Sequence, residues 1–161
     1  MIPFNIFGHT NVFTSQSEDP IVWVDASDIS TYTLGTASDL GNELVVNGDF
    51  ANDSDWNKGE GWSISGGTAN RVASSSFSNL IQNLGSNFEL NKTYQFTINI
   101  TSLNGRLKVV FSNTNIILDT TTSGEYIINA QRVGNTTIYI QASSSGTECT
   151  IDNISVKEIL N

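Results

Sequence analysis

"TYQFTINITSLNGRLKVVFS", residues 93 to 112, decides the fold class. Tyr94, Phe96, Ile98 and Ile100 fall on one side of a two-residue repeat, and Gln95, Thr97, Asn99 and Thr101 fall on the other. That is the pattern of a strand with one face in a core and one in water. "LNGR" at 103–106 is a tight-turn sequence, after which Leu107, Val109 and Phe111 alternate with Lys108 and Ser112. Two alternating runs joined by an Asn-Gly turn predict a β-hairpin with one buried face.

The same grammar extends in both directions. "ELVV" (43–46), "GWSIS" (61–65), "TANRVAS" (68–74), "NLIQNL" (79–84), "NIILDT" (115–120), "EYIINA" (125–130), "TTIYIQAS" (136–143) and "CTIDNISVKEI" (149–159) read as further strands. Turn signals such as "SGG", "TSGE" and "VGNT" separate several of them. Ile138, Ile140 and Ala142 alternate with Tyr139 and Gln141. In the last run the phase slips. Ile151 on one parity and Ile154 and Val156 on the other are all core residue types, so a bulge is expected at Asp152-Asn153. Short strands with one wet face over about 120 residues fold most economically as two antiparallel sheets packed face to face. The expected class is all-β: an antiparallel sandwich over 42–161, preceded by an irregular arm over 1–41 whose apolar patches "IPFNIF", "NVF" and "IVWV" show no sustained period.

Composition narrows the function. The chain has 161 residues and a net charge of −9, and ten of its sixteen acids stand in residues 1–60 against the single base Lys58. Nucleic acid is a poor partner for such a chain, because phosphate neutralisation needs clustered Lys and Arg. No apolar run approaches a membrane span, and the start lacks the pattern of a secretory signal, so no cleavage and no membrane anchor are expected. The one cysteine, Cys149, excludes an internal disulfide and reads as a small core residue. The one histidine, His9, lies in the arm without a nucleophile motif, and no phosphate-binding loop is present, so an enzyme is not expected.

Two stretches bracket the regular part: "NELVVNGDF" (42–50) and "IDNISVKE" (151–158), with "DSDW" (53–56) and "GWSISGGTA" (61–69) between them. This order resembles the jelly-roll carbohydrate-binding modules of the galactose-binding-like type, which open with N-G-x-F and close with I-D-N-V-x-V. The resemblance implies a jelly-roll sandwich whose two ends meet. It also implies a structural calcium ion held by the closing acid, here Asp152, with Asp49, Asn47 or Asp53 near the opening motif, where Ala51 stands in place of the more usual Glu. A bulge whose Asp152 and Asn153 only satisfy local backbone groups accounts for the same residues. Modules of this type with similar phrases occur in structural proteins of tailed bacteriophages, and "PIVWVDASDIS" (20–30) resembles the opening of another module common in phage and bacterial surface proteins.

The function expected from the resemblance is that of a non-enzymatic virion protein, a capsid decoration or a tail or fibre component made in the host cytoplasm and displayed on the particle. Phe4, Phe7, Phe13 and Trp23 would dock the arm onto another virion subunit, or would pack back on the chain's own sandwich. A homo-oligomer would suit a symmetric particle surface. The alternative expectation is a glycan-binding adhesin. Tyr139 and Gln141, if their face adjoins Gln95, Thr97 and Asn99, would form an uncharged surface for a sugar, an ordinary solvated sheet face being the other reading. Trp56, in an acidic loop, would be a ligand platform or a packing staple, whereas Trp62 is expected in the core.

Overall fold

A computed structural model describes residues 39–112 and 115–160. Its strands are β1 (Asp39–Glu43), β2 (Asn57–Lys58), β3 (Trp62–Ser65), β4 (Thr68–Arg71), β5 (Ser78–Asn83), β6 (Thr93–Asn104), β7 (Leu107–Phe111), β8 (Asn115–Thr120), β9 (Gly124–Gln131), β10 (Thr137–Ala142) and β11 (Glu148–Leu160). No helix occurs among the described residues. The first sheet runs β3-β4-β11-β6-β9, with β1 also on β11, and the second runs β2-β5-β10-β7-β8. Every pairing is antiparallel. The all-β sandwich expected from the alternation is therefore the fold.

The inward parity of the opening stretch supplies the core. Tyr94, Phe96, Ile98 and Ile100 on β6 are buried, as are Leu107, Val109 and Phe111 on β7. Phe96 of one sheet stacks on Phe111 of the other, with ring centroids 5.4 Å apart and planes 3° from parallel. Phe88 sets its ring roughly perpendicular to both, at 6.3 and 5.9 Å. The two sheets thus meet through aromatic rings in favoured stacked and edge-on arrangements. In the β6–β7 turn Gly105 has φ 115°, and a Cβ there would lie 2.8 Å from Thr147 Oγ1, so the position needs glycine twice over. Cys149 is buried, and burial pushes its thiol up to about 12, which leaves it a protonated apolar residue.

The slip in the last strand is a bulge. On β11, Ile151 pairs with Ile100 and Asn153 with Asn99, which leaves Asp152 as the extra residue. Immediately before it β6 carries an extra residue of its own, Thr101, between the pairs Thr150–Ser102 and Ile151–Ile100. The two single-residue slips cancel, so the ladder keeps one register on either side of them. Their effect is local: Ile151, Ile154 and Val156 all enter the core, and Asp152 and Asn153 both face water.

The beginning of the sandwich differs from expectation. The first strand is Asp39–Glu43 rather than "ELVV", so Asp39 and Leu40, assigned by the sequence to the arm, pair with the end of β11. The Glu43 carboxylate ties the corner by accepting from the backbone N–H groups of Leu44, Val45 and Val156 and from the Ser155 hydroxyl. Val46 then finds a substitute for a strand. The Gln82 side chain, buried from the opposite sheet, accepts from Val46 N at 2.9 Å and donates to Val46 O at 2.8 Å. Leu44 N donates to Val156 O, and Ile154 N donates to Gly48 O at 2.9 Å, so the opening and closing motifs do meet.

Candidate functional site

Strands β6 and β11 are central neighbours, and their outward residues form rows across the first sheet. Gln95 stands opposite Lys157, Thr97 opposite Ser155 and Asn99 opposite Asn153. On the other side of β6, Glu125 of β9 stands opposite Asn99. Directly opposed side chains on one sheet face are about 5 Å apart, so these rows form a continuous polar lining. Together with Leu40 and Asp152 they enclose a groove of about 260 Å³. Between its ends the lining is amides and hydroxyls: Gln95, Thr97, Asn99 and Asn153, and Ser155, whose hydroxyl already donates to the Glu43 carboxylate. Its charges stand at the two ends.

The bulge shapes the acidic end. As the extra residue on its strand, Asp152 turns its carboxylate onto the groove face, where Asn99 Nδ2 donates to Oδ2 at 3.3 Å. Glu125 is exposed and has no hydrogen-bond or ion-pair partner among the described residues. Lys157, at the far end, also has none among them.

The structure brings together Gln95 and Asn99, expected to bind sugar, with Asp152, expected to bind metal. It separates them from Tyr139 and Gln141. Those two stand on the outer face of the second sheet, so the adjoining surface considered from the sequence does not form. Tyr139 lies in a row with Ile81 and Val110 and is half-buried, flanked by aliphatic chains rather than amides. Trp56 is no platform: it is buried, packs on Phe50 at 5.5 Å and donates from Nε1 to Asn47 O at 3.0 Å. Trp62 is in the core as expected.

Asn47 and Asp49 are engaged in the opening loop. Asn47, at φ 53°, donates from Nδ2 to Asn52 O and Ser54 O, and its Oδ1 accepts from Asn52 N. Asp49 Oδ1 accepts from Ala51 N. With Asp152 bonded to Asn99, these side chains as they stand do not fit a shared calcium ion, and among the described residues no group of three His, Cys, Asp or Glu could hold a metal. The Asn47 amide holds that corner. Phe4, Phe7, Phe13, Trp23 and His9 lie outside the described residues.

Ser155, Lys157 and Glu125 were not singled out from the sequence, and Asn153 was singled out only for the bulge. Their outward parity is legible there, but which strand lies beside β6 is set by long-range pairing that no local pattern encodes.

The fold has counterparts among solved structures. A point variant of a family 29 carbohydrate-binding module matches with a TM-score of 0.51 at 15% identity, over 73% of this chain and 90% of that one. A second variant from the same family, made to probe ligand recognition, matches with a TM-score of 0.50 at 16% identity, over 73% and 84%. At such identity the likeness is one of fold. No protein-family model matches the chain, and no curated protein matches it in sequence.

Proposed function

We propose that this chain is a non-catalytic glycan-binding module that holds a short stretch of carbohydrate in the groove over β6 and β11. The observation that carries the reading is the lining: five uncharged amide and hydroxyl side chains in register on two neighbouring strands. Sugar hydroxyls both donate and accept, and fixed groups that do the same in a shallow cleft match them without burying an unpaired charge. Water bridges fill the gaps that direct contacts leave. The likeness of the fold to solved carbohydrate-binding modules supports the same reading.

Catalysis is a weaker use of the site. Glu125 and Asp152 are both exposed, and neither is packed against the apolar wall that prepares a carboxylic acid to give up a proton. A virion setting, and attachment through residues 1–41 to other virion proteins, rest on the motif resemblance alone; neither the fold nor its likeness to solved structures speaks for them.

A glycan array should return binding by the whole chain. Gln95→Ala and Asn99→Ala should each weaken it about tenfold, the cost of about one good hydrogen bond. Their melting temperatures should stay within about 2 °C of the parent's, since both side chains face outward. Tyr139→Ala should leave binding unchanged. A blank array, or loss with Tyr139→Ala and not with the β6 variants, would refute the groove.

A further inference from the structure

The groove is electrically lopsided, and that lopsidedness names a ligand class. Resting on the reading of the groove as a glycan site, we infer that it selects carbohydrate bearing a protonated amine, seated over Asn99 between the carboxylates of Asp152 and Glu125.

Three observations carry this. Glu125, Asn99 and Asn153 form one row across β9, β6 and β11, with Asp152 bulged beside it. The two carboxylates are therefore about 10 Å apart, two interstrand spacings, with only an amide between them. An ammonium placed over that amide lies near both acids. No cation among the described residues does the same work. Lys157, the one base in the groove, is four residues along β11 from Asn153, about 14 Å. That exceeds the screening length of about 8 Å at physiological salt, so the acidic end keeps its field. Third, the bulge sets Asp152 and Asn153 side by side on this face, and Asn99 steadies the Asp152 carboxylate from the side, with no partner for Oδ1 among the described residues. A cation donating to the Asp152 carboxylate makes a charge-assisted hydrogen bond, stronger than the neutral contacts available in the rest of the groove, and the Glu125 charge about 5 Å beyond the amide adds to its attraction.

The test compares three oligomers of equal length and linkage in the presence of a chelator: β-1,4-linked glucosamine, its fully N-acetylated counterpart and the corresponding glucose oligomer. Titrations are run at a pH that keeps the amine protonated and the carboxylates ionised. Glucosamine should bind at least tenfold more tightly than the other two, with an affinity that falls as salt is raised. Asp152→Asn should remove most of that advantage, and Asp152→Asn with Glu125→Gln should level the three ligands. Glu89→Gln, which removes the same charge outside the groove, should change nothing and so controls for general attraction to an acidic protein. Equal binding of all three, unaffected by Asp152→Asn, would overturn the amine selectivity and leave the groove standing. An advantage lost equally with Glu89→Gln would overturn it too. Should none of the three bind in a manner sensitive to Gln95→Ala or Asn99→Ala, the groove itself falls and this inference with it.

Discussion

Replacing Gly48 by alanine is expected to destabilise the sandwich by about 3 kcal/mol or more, a fall of about 10 °C in melting temperature. A Cβ at this position would lie 2.1 Å from the carbonyl oxygen of Ile154 and 3.1 Å from Val45 Cγ1. The first of these is main chain on a central strand, so no rotamer change relieves it. The opening loop must back away, and the bond from Ile154 N to Gly48 O is lost with it. Retreat of the loop also loosens Val45, Phe50 and Trp56, all buried beneath it. Thermal or urea unfolding reads the result directly. A melting temperature within about 2 °C of the parent would mean that the opening and closing segments do not touch here.

Arg71 carries the second large expectation. It points into the sandwich at 2% exposure, in a row with Trp62 and Cys149. Among the described residues no carboxylate touches the guanidinium. Nε donates to Ser78 Oγ at 3.2 Å, one terminal nitrogen to Thr147 O, and the other to Ser74 Oγ at 3.0 Å and Ser76 O at 3.1 Å. Glu60 grips the same serine-rich loop from outside, accepting from Ser75 N, Ser75 Oγ and Ser76 Oγ. Those hydrogen bonds hold the Glu60 carboxyl below its usual range. Arg71→Leu removes four hydrogen bonds, to two carbonyls and two hydroxyls, at about 1 kcal/mol each. A total of about 4 kcal/mol is expected from equilibrium unfolding. Arg71→Lys should recover little of it, because an ammonium keeps the charge but not the fork that reaches four acceptors. Full stability in either variant would show that the loop is held by other means.

These two residues also mark how far the sequence could be read. Alternation in residues 93–112 is a local property, because successive side chains on a strand must face opposite ways. The hairpin, its core face and the break at Asp152-Asn153 were therefore legible. An arginine on an inward parity reads as a surface residue until its acceptors are known, and those come from residues up to 76 positions away. Tyr139 faces outward on its strand as its parity implies, yet no parity tells which sheet a strand joins, and β10 joins the sheet opposite β6 and β11. β1 escaped for a similar reason. "DLGNE" has no apolar alternation, and it is a strand because β11 offers it a partner. Asp152 was identified from its bulge, and its carboxylate lies on the groove face beside the Asn99 amide.

The side chains of the groove can report on it themselves. In an amide-resolved NMR titration with an oligosaccharide that the chain binds, the side-chain NH₂ signals of Gln95, Asn99 and Asn153 should move together and saturate at one affinity. Those of Asn79 and Gln141, on the opposite sheet, should stay still. Movement confined to Asn79 and Gln141, with the three groove amides unshifted at saturation, would contradict it.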